Sequence, residues 1–307
     1  MTHIVDPSAA RKATLGFAAM ALATQLLPLG DTFAKLLTRH IPPMEVAFWR
    51  MLVQAALLGT VALALRRHLR GAMFSPIVAG AGMLLLGTLV CLIAAFAVMP
   101  IATAIAIFFV EPLILTALSA PLLGERVGPR RYAAVAVGLA GALIVIRPAD
   151  PVFGWATFLP LGAALCFALN AILVRRALAT RSPLTVQTGA AIYAAAIMAV
   201  VTLASWALGL AAPTIGEAPV WAPLAVLAAG VTASASFLLI GAAFARVEAS
   251  ALAPMQYLEI LGATVLGYIV FAEFPDAWTW VGTAVILGSG AYVVHRERRA
   301  RAPAPGP

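Results

Sequence analysis

The sequence predicts an all-α polytopic membrane protein with ten transmembrane helices, arranged as an inverted 5+5 repeat with both termini cytoplasmic. Three observations predict it. Of the 307 residues 63% are hydrophobic and 10% charged, with a mean hydropathy of +1.01, whereas soluble domains hold roughly 45–50% apolar and about 25% charged residues. Such a chain cannot cover a water-exposed surface, so its solvent is the bilayer. The basic residues also gather at alternate breaks between apolar runs, and the chain aligns with itself after a shift of half its length.

A helical span needs about 20 predominantly apolar residues. Hydropathy and the polar or proline breaks place spans at 13–37, 44–65, 76–97, 101–122, 130–147, 153–178, 184–209, 221–245, 250–272 and 277–295. The first apolar run exceeds the ~7–15 residues of a signal-peptide core and reads as a retained span. Pro43, Pro76 and Pro100 mark the starts of the second to fourth spans, Pro129 that of the fifth, and Pro183 and Pro219 those of the seventh and eighth. At a helix start the missing N–H of proline costs little. The fifth span ends at Arg147, the sixth at Arg175 and Arg176, the ninth at Glu273, and the tenth runs into a basic tail.

Ten spans put both termini on one side. That side receives Arg11, Lys12, Arg66, Arg67, Arg70, Arg126, Arg130, Arg131, Arg175, Arg176, Arg181, Arg246 and the four arginines of the tail, sixteen of the 20 lysines and arginines. The other side receives Arg39 and Arg147, while Lys35 and Arg50 fall within spans. Basic loops stay cytoplasmic, which orients the chain.

A shift of 148 residues aligns FAVMPIATAIAIFFVEPL (96–113) with FARVEASALAPMQYLEIL (244–261), placing Glu111 on Glu259 and Glu125 on Glu273. A shift of 150 places Ala134 and Gly138 on Ala284 and Gly288. Each half, 1–149 and 150–307, then holds five spans. Because five is odd, the second half enters the membrane from the opposite face, a construction that carriers use for alternating access with the site near the midplane. The small residues four apart in the fifth and tenth spans suit close helix packing, a scaffold role.

Several chemistries are excluded. His3, His40, His68 and His295 lie in tails or loops, so none serves as base or metal ligand at depth. No GxxxxGK[ST] loop and no HExxH cluster occurs. Cys91 and Cys166 lie in apolar runs and read as free packing cysteines. The +8 net charge is spread over short clusters rather than a nucleic-acid-binding face. The expected partners are a small-molecule substrate and membrane lipid, with no nucleic acid, no cofactor and no metal, in a chain that acts as a monomer and is not an enzyme.

The stretches GDTFAKLLTRHIPPMEVAFWRMLVQAALL (30–58), IFFVEPLILTALSAPLLGERVGPRRYAAVAVGLAGALIVI (107–146) and APMQYLEILGATVLGYIVFAEFPDAWTWVGTAVILGSGAYVV (253–294) resemble the two EamA-type repeats of the drug/metabolite transporter superfamily. The resemblance covers nearly the whole chain. It implies a ten-helix inverted-repeat fold around a central cavity in a bacterial inner membrane. It also implies export of amino acids or related metabolites, closest in character to exporters of aromatic and neutral amino acids of the YddG type. The alternatives are a non-transporting scaffold, or a carrier for a nucleoside-type or cationic drug substrate.

Glu111 carries the chemical question. Ten large apolar residues around it favour insertion by about 3–6 kcal/mol against roughly +3 for one carboxylate, so the helix inserts and the acid must face the bundle interior, pair or take up a proton. Glu259 lies at similar depth. Both are candidates for coupling, or else structural acids fastened to backbone near Pro112 and Pro254. Asp31 and Lys35 are four apart and suit a pair with each other, or Lys35 holds a substrate carboxylate while a glutamate meets an ammonium. Arg50 lies about 9 Å inside its span and suits snorkelling outward beside Glu45 or Arg39. Thr103, Asn170, Ser236, Gln256 and Tyr257 complete the candidate cavity set, each equally readable as interhelical glue. Glu125 and Glu273 read as caps or hinges at span ends.

Overall fold

The computed structural model describes residues 7–123, 128–147, 154–244, 246–247, 252 and 255–301. Every described regular element is helical: α1 (Pro7–Thr38), α2 (Pro43–Ala64), α3 (Pro76–Phe96), α4 (Ile101–Phe108), α5 (Glu111–Leu123), α6 (Pro129–Ile146), α7 (Leu159–Ala177), α8 (Pro183–Ala207), α9 (Ala222–Phe244), α10 (Leu258–Phe271) and α11 (Ala277–Arg301), with short 3₁₀ turns at Arg66–His68 and Gly154–Phe158. Among the described residues seven spans are long and apolar enough to cross a membrane, and α6 and α10 add shorter apolar helices. The expected division between residues 149 and 150 lies outside the described residues, as does Glu125.

The fourth span departs from the single helix expected over 101–122. It breaks at Phe109 and Val110 into α4 and α5. Pro112 has no N–H to offer the carbonyl of Phe108. Around it, the Val110 and Leu113 amides fall back on three-residue bonds to Ile107 (3.1 Å) and Val110 (3.0 Å). Glu111 is therefore the first residue of a new helix rather than the middle of an old one. The ninth span repeats this. Met255 and Gln256 are helical, Tyr257 is a turn, and α10 begins at Leu258 with Glu259 in its first turn.

Helix packing follows an exchange of the two halves. The contacts of α1 with α9 and of α3 with α7 correspond under that exchange, as do those of α2 with α9 and of α3 with α8. So do α1 with α10 and α5 with α7, while α2 with α8 and α6 with α11 map onto themselves. A Cβ on Gly82 of α3 would stand 2.6 Å from the Ala190 carbonyl oxygen of α8, and one on Gly230 of α9 would stand 2.4 Å from Val53 Cγ1 of α2. Gly82 and Gly230 are separated by the same 148 residues that superpose the two glutamates. Without a water-driven hydrophobic effect between helices, such close approach is what van der Waals packing in lipid needs.

The pairing of α6 with α11 accords with a scaffold role, but only partly through the expected residues. A Cβ on Gly138 would clash with Leu113 and Ser289, and Gly141 and Gly282 bring the two backbones together. Ala284 and Gly288 face outward instead, and nothing lies within 4 Å of a Cβ on Gly288. The inward stripe of α11 is Gly282, Ile286, Ser289 and Val293, spaced as one face of a helix.

The ends of the bundle are clasped. On the basic side the Arg70 amide donates to Ser182 Oγ (3.2 Å) and Thr185 Oγ1 (3.0 Å), the Ser182 amide donates to the Arg70 carbonyl (3.0 Å), and Arg181 Nε donates to the Ala72 carbonyl (2.8 Å). On the outer side buried Glu45 accepts from the Thr214 and Ile215 amides, from Thr214 Oγ1 (2.7 Å) and from Trp49 Nε1. Glu45 is thus spent on the α8–α9 connection, not on Arg50. Five of the six tryptophans, at 155, 206, 221, 278 and 280, lie near helix ends on this outer side, at the interfacial level where amphipathic rings concentrate.

Two tests follow from this packing. Gly82→Ala, which forces a methyl against a backbone carbonyl, is expected to destabilise the fold by about 1–3 kcal/mol, while Gly288→Ala leaves it near the parent; thermal unfolding in detergent micelles compares them, and equal melting would refute the close-approach argument. The second concerns Asp276, in the connection between α10 and α11. Partial burial works to raise its carboxyl pKa, but hydrogen bonds from Thr279 and the Arg147 guanidinium at 2.5 Å win and hold it below the ordinary carboxylate value. A depressed folded-state pKa gives stability that is present above the unfolded value near pH 4 and lost as pH falls through the folded one. Melting of Asp276→Asn should therefore fall less steeply than that of the parent below about pH 4.

Candidate functional site

Where α1, α2, α3, α7 and α9 converge on the two helix breaks, the bundle forms a partly open cavity. Its charged lining comes from Asp31 of α1, Arg50 of α2, Glu111 of α5 and Glu259 of α10. Uncharged polar lining comes from Thr24, Gln54, Thr88 and Gln256, and aromatic lining from Phe108, Phe109, Phe167 and Phe237. Phe108 and Phe167 meet edge to face at 5.6 Å across the half-to-half boundary. Gln25 of α1 donates to the Leu258 carbonyl at 3.0 Å and so ties α1 to the start of α10, beside Glu259.

The two glutamates owe their positions to the breaks. The first N–H groups of a helix lack intrahelical partners and carry the positive end of its dipole. Glu111 and Glu259 both stand in such a first turn. Neither makes a hydrogen bond or ion pair with another described side chain, although Asp31 and Glu259 lie close enough for their charges to interact. Three carboxylates and one guanidinium in one cavity leave room for positive charge, whether a proton or part of a ligand.

The ion pairs differ from those expected. Asp31 does not pair with Lys35. Its Oδ1 accepts from Arg50 Nη1 at 3.1 Å, and both side chains are buried. Arg50 accordingly does not snorkel outward, because its partner lies inward on the neighbouring helix. Lys35, one turn farther out, donates to Glu273 Oε2 (2.6 Å) and to the Met99 carbonyl (2.8 Å), with the Phe271 ring 5.0 Å away. Glu273 is therefore more than a cap: it fastens the α10–α11 connection to α1 and, through Lys35, to the α3–α4 connection.

Of the candidate cavity residues, Glu111, Gln256 and Glu259 line the cavity. Lys35 does not, since Glu273 and Met99 hold it above. Ser236 donates to the Thr232 carbonyl (2.8 Å) and to the Ala23 carbonyl of α1 (3.3 Å), so it joins helices. Thr103 is buried in α4, and Tyr257 packs edge to face on Phe109 at 5.7 Å. Asn170 is buried one turn from Phe167 with its Oδ1 unpartnered, outside the cavity wall. Asp31, Arg50, Gln54, Thr24 and Thr88 are the polar lining that the sequence reading did not place there. On the basic side, Arg176 of α7 donates to the Leu122 carbonyl at the end of α5, an α7–α5 tie that corresponds, under exchange of halves, to the contact of α1 with α10.

Comparison with known proteins places this geometry. The riboflavin transporter of Rhizobium johnstonii is 30% identical over 69% of this chain and 68% of its own length. The S-adenosylmethionine uptake transporter of Rickettsia prowazekii is 25% identical over 88% of this chain and 89% of its own. A riboflavin transporter of Brucella anthropi is 28% identical over 84% and 89%. A protein of known crystal structure, 23% identical, superposes with a TM-score of 0.61 over 94% of this chain and 99% of the other, and so shares the fold. The names of these relatives concern riboflavin and S-adenosylmethionine, whereas the sequence resemblance implies amino-acid export; the superfamily is common to both and the cargo is not. The EamA-like transporter family matches residues 14–147 and again 154–294, and this multi-pass membrane protein belongs to it.

Proposed function

We propose that the chain is a secondary carrier that moves a small metabolite bearing both a flat ring and a positive charge across a bacterial cytoplasmic membrane. Its two halves, 1–149 and 150–307, rock as a monomer around the midplane cavity. The observation that carries this reading is the cavity lining, where Phe108, Phe109, Phe167 and Phe237 surround Asp31, Glu111 and Glu259 with Arg50 as the one cation among them. Aromatic walls bind a flat ring by stacking and edge contacts. Carboxylates in a low-dielectric space attract a cationic group or a proton. S-adenosylmethionine has this chemistry, with a purine ring and a sulfonium, and it is the cargo named for one relative. Aromatic amino acids share the ring and an ammonium, which keeps amino-acid export as the second reading.

In this mechanism Glu259 changes its proton or its partner as the cavity changes sides. Proteoliposomes loaded with S-adenosylmethionine, phenylalanine or tryptophan, and riboflavin as an uncharged ring, test the cargo by saturable counterflow. Glu259→Gln is expected to lower the rate at least tenfold and flatten its dependence on pH; an unchanged rate and pH profile would remove Glu259 from the mechanism.

Alternation also requires the ties at the two ends to open in turn. Lys35, Glu273 and the Met99 carbonyl close the outer side, so Glu273→Gln shifts the carrier toward outward opening. In a chain freed of Cys91 and Cys166 and carrying Gln54→Cys, an impermeant maleimide added outside should label at least threefold faster once Glu273 is neutralised. Equal labelling in a folded variant would assign that ion pair to stability alone.

A further inference from the structure

We infer that Arg50 is the subsite for a carboxylate of the transported molecule, and that Asp31 is a built-in stand-in which the molecule displaces. This deepens the reading above, on which it rests, by restricting the cargo to ring compounds that carry a carboxylate beside their cationic group.

Four observations support it. Arg50 is 6% exposed and lines the cavity, so it is a buried guanidinium in contact with the space a ligand would fill. Its Nε is buried with no partner, and its side-chain bond to Asp31 uses Nη1 alone, at 3.1 Å. Guanidinium–carboxylate pairs reach about 2.7–2.9 Å and are frequently bidentate, so this single contact leaves most of the five-donor fork unused. The acceptor that does occupy it is itself a carboxylate, which shows the chemistry the fork accepts. Glu259 lies close enough to Asp31 for their charges to interact, so a zwitterion can bring its carboxylate to Arg50 while its ammonium meets Asp31 and Glu259. The exchange conserves charge: one carboxylate replaces another on the guanidinium, and the displaced Asp31 gains a cation. No charge is left unpaired in the membrane during the swap, and stranding one there would be costly.

Lys35 is the other intramembrane cation, but both its described contacts, Glu273 and the Met99 carbonyl, lie outside the cavity wall. Gln54 and Gln256 line the same space and supply neutral hydrogen bonds that do not discriminate an acid from an amide.

The test uses ligand pairs that differ only in the carboxylate: phenylalanine against phenethylamine, and S-adenosylmethionine against its decarboxylated form. Binding to the full chain in nanodiscs is measured by calorimetry, with folding checked by monodispersity and melting. The parent should bind the carboxylate-bearing member of a pair at least tenfold more tightly. Arg50→Gln should erase that preference, leaving the decarboxylated member within about threefold of its parent affinity. Asp31→Asn, which frees the fork, should raise affinity for the carboxylate-bearing member relative to its decarboxylated partner, a change that a purely structural ion pair would not produce. Should Arg50→Gln fail to fold for want of a partner to Asp31, the neutral double variant Asp31→Asn/Arg50→Gln makes the same measurement. Equal affinity for both members of each pair in the parent, or a preference that survives loss of Arg50, overturns the carboxylate subsite while leaving the cationic-ring reading standing. Absence of binding by every ring compound in the parent overturns both.

Discussion

The arrangement depends on how a carboxylate can be kept inside a bilayer without a permanent cation beside it. Hydrocarbon offers nothing to solvate it, and an ionised group there needs a charge, a dipole or a proton. Glu111 and Glu259 are each placed where a helix has been broken and restarted, so that each acid stands at the positive end of a new helix's dipole. The broken backbone is tolerated because it borders an internal cavity rather than lipid. The same proline that interrupts the fourth span thus supplies the environment that makes its acid possible. An unbroken helix over 101–122 would set position 111 mid-helix, away from the positive end of any dipole.

Symmetry then sets what can move. Exchange of the halves carries α1 onto α7 and α10 onto α5, so the contacts that close one side of the membrane have counterparts on the other. Outside, Lys35 meets a carboxylate and a carbonyl; inside, Arg176 reaches the Leu122 carbonyl and Arg181 the Ala72 carbonyl. A partly buried ammonium–carboxylate contact costs free energy to open, because each separated charge must find solvent. The closely packed pairs, α3 on α8 at Gly82 and α2 on α9 at Gly230, join the two halves between these ends.

Much of this could be read from the residues. Span number, orientation and repeat follow from hydropathy, basic-loop asymmetry and the 148-residue shift, because each is set by the bilayer acting on the chain locally. Glu111, Gln256 and Glu259 were legible as cavity candidates because a polar group at that depth has few other uses. The breaks at Phe109–Val110 and Tyr257 are half legible: Pro112 frees the Phe108 carbonyl, but the residue pattern alone does not say whether the helix bends or ends there. Ser236 follows its reading as interhelical glue, whereas Lys35 meets neither Asp31 nor the cavity. A polar residue in a span can be satisfied by a backbone carbonyl on a neighbouring helix, and only the three-dimensional packing says which carbonyl. Glu273, 238 residues from Lys35, could not have been paired with it from periodicity.

The Asp31–Arg50 pair is different, because its geometry was available. Helices α1 and α2 are antiparallel neighbours joined by the short turn at 39–42, and residues 31 and 50 lie equally far from its centre. At 1.5 Å per helical residue they reach the same depth, roughly 10 Å from the turn, whereas Asp31 and Lys35 are offset along one helix. Two opposite charges at equal depth on adjoining helices relieve each other's desolvation better than either could by reaching for the surface. Depth matching across a hairpin is therefore a stronger pairing signal than four-residue spacing whenever both charges lie inside the membrane. It also places a salt bridge where a carrier can use it, at the level of the glutamates rather than at the rim.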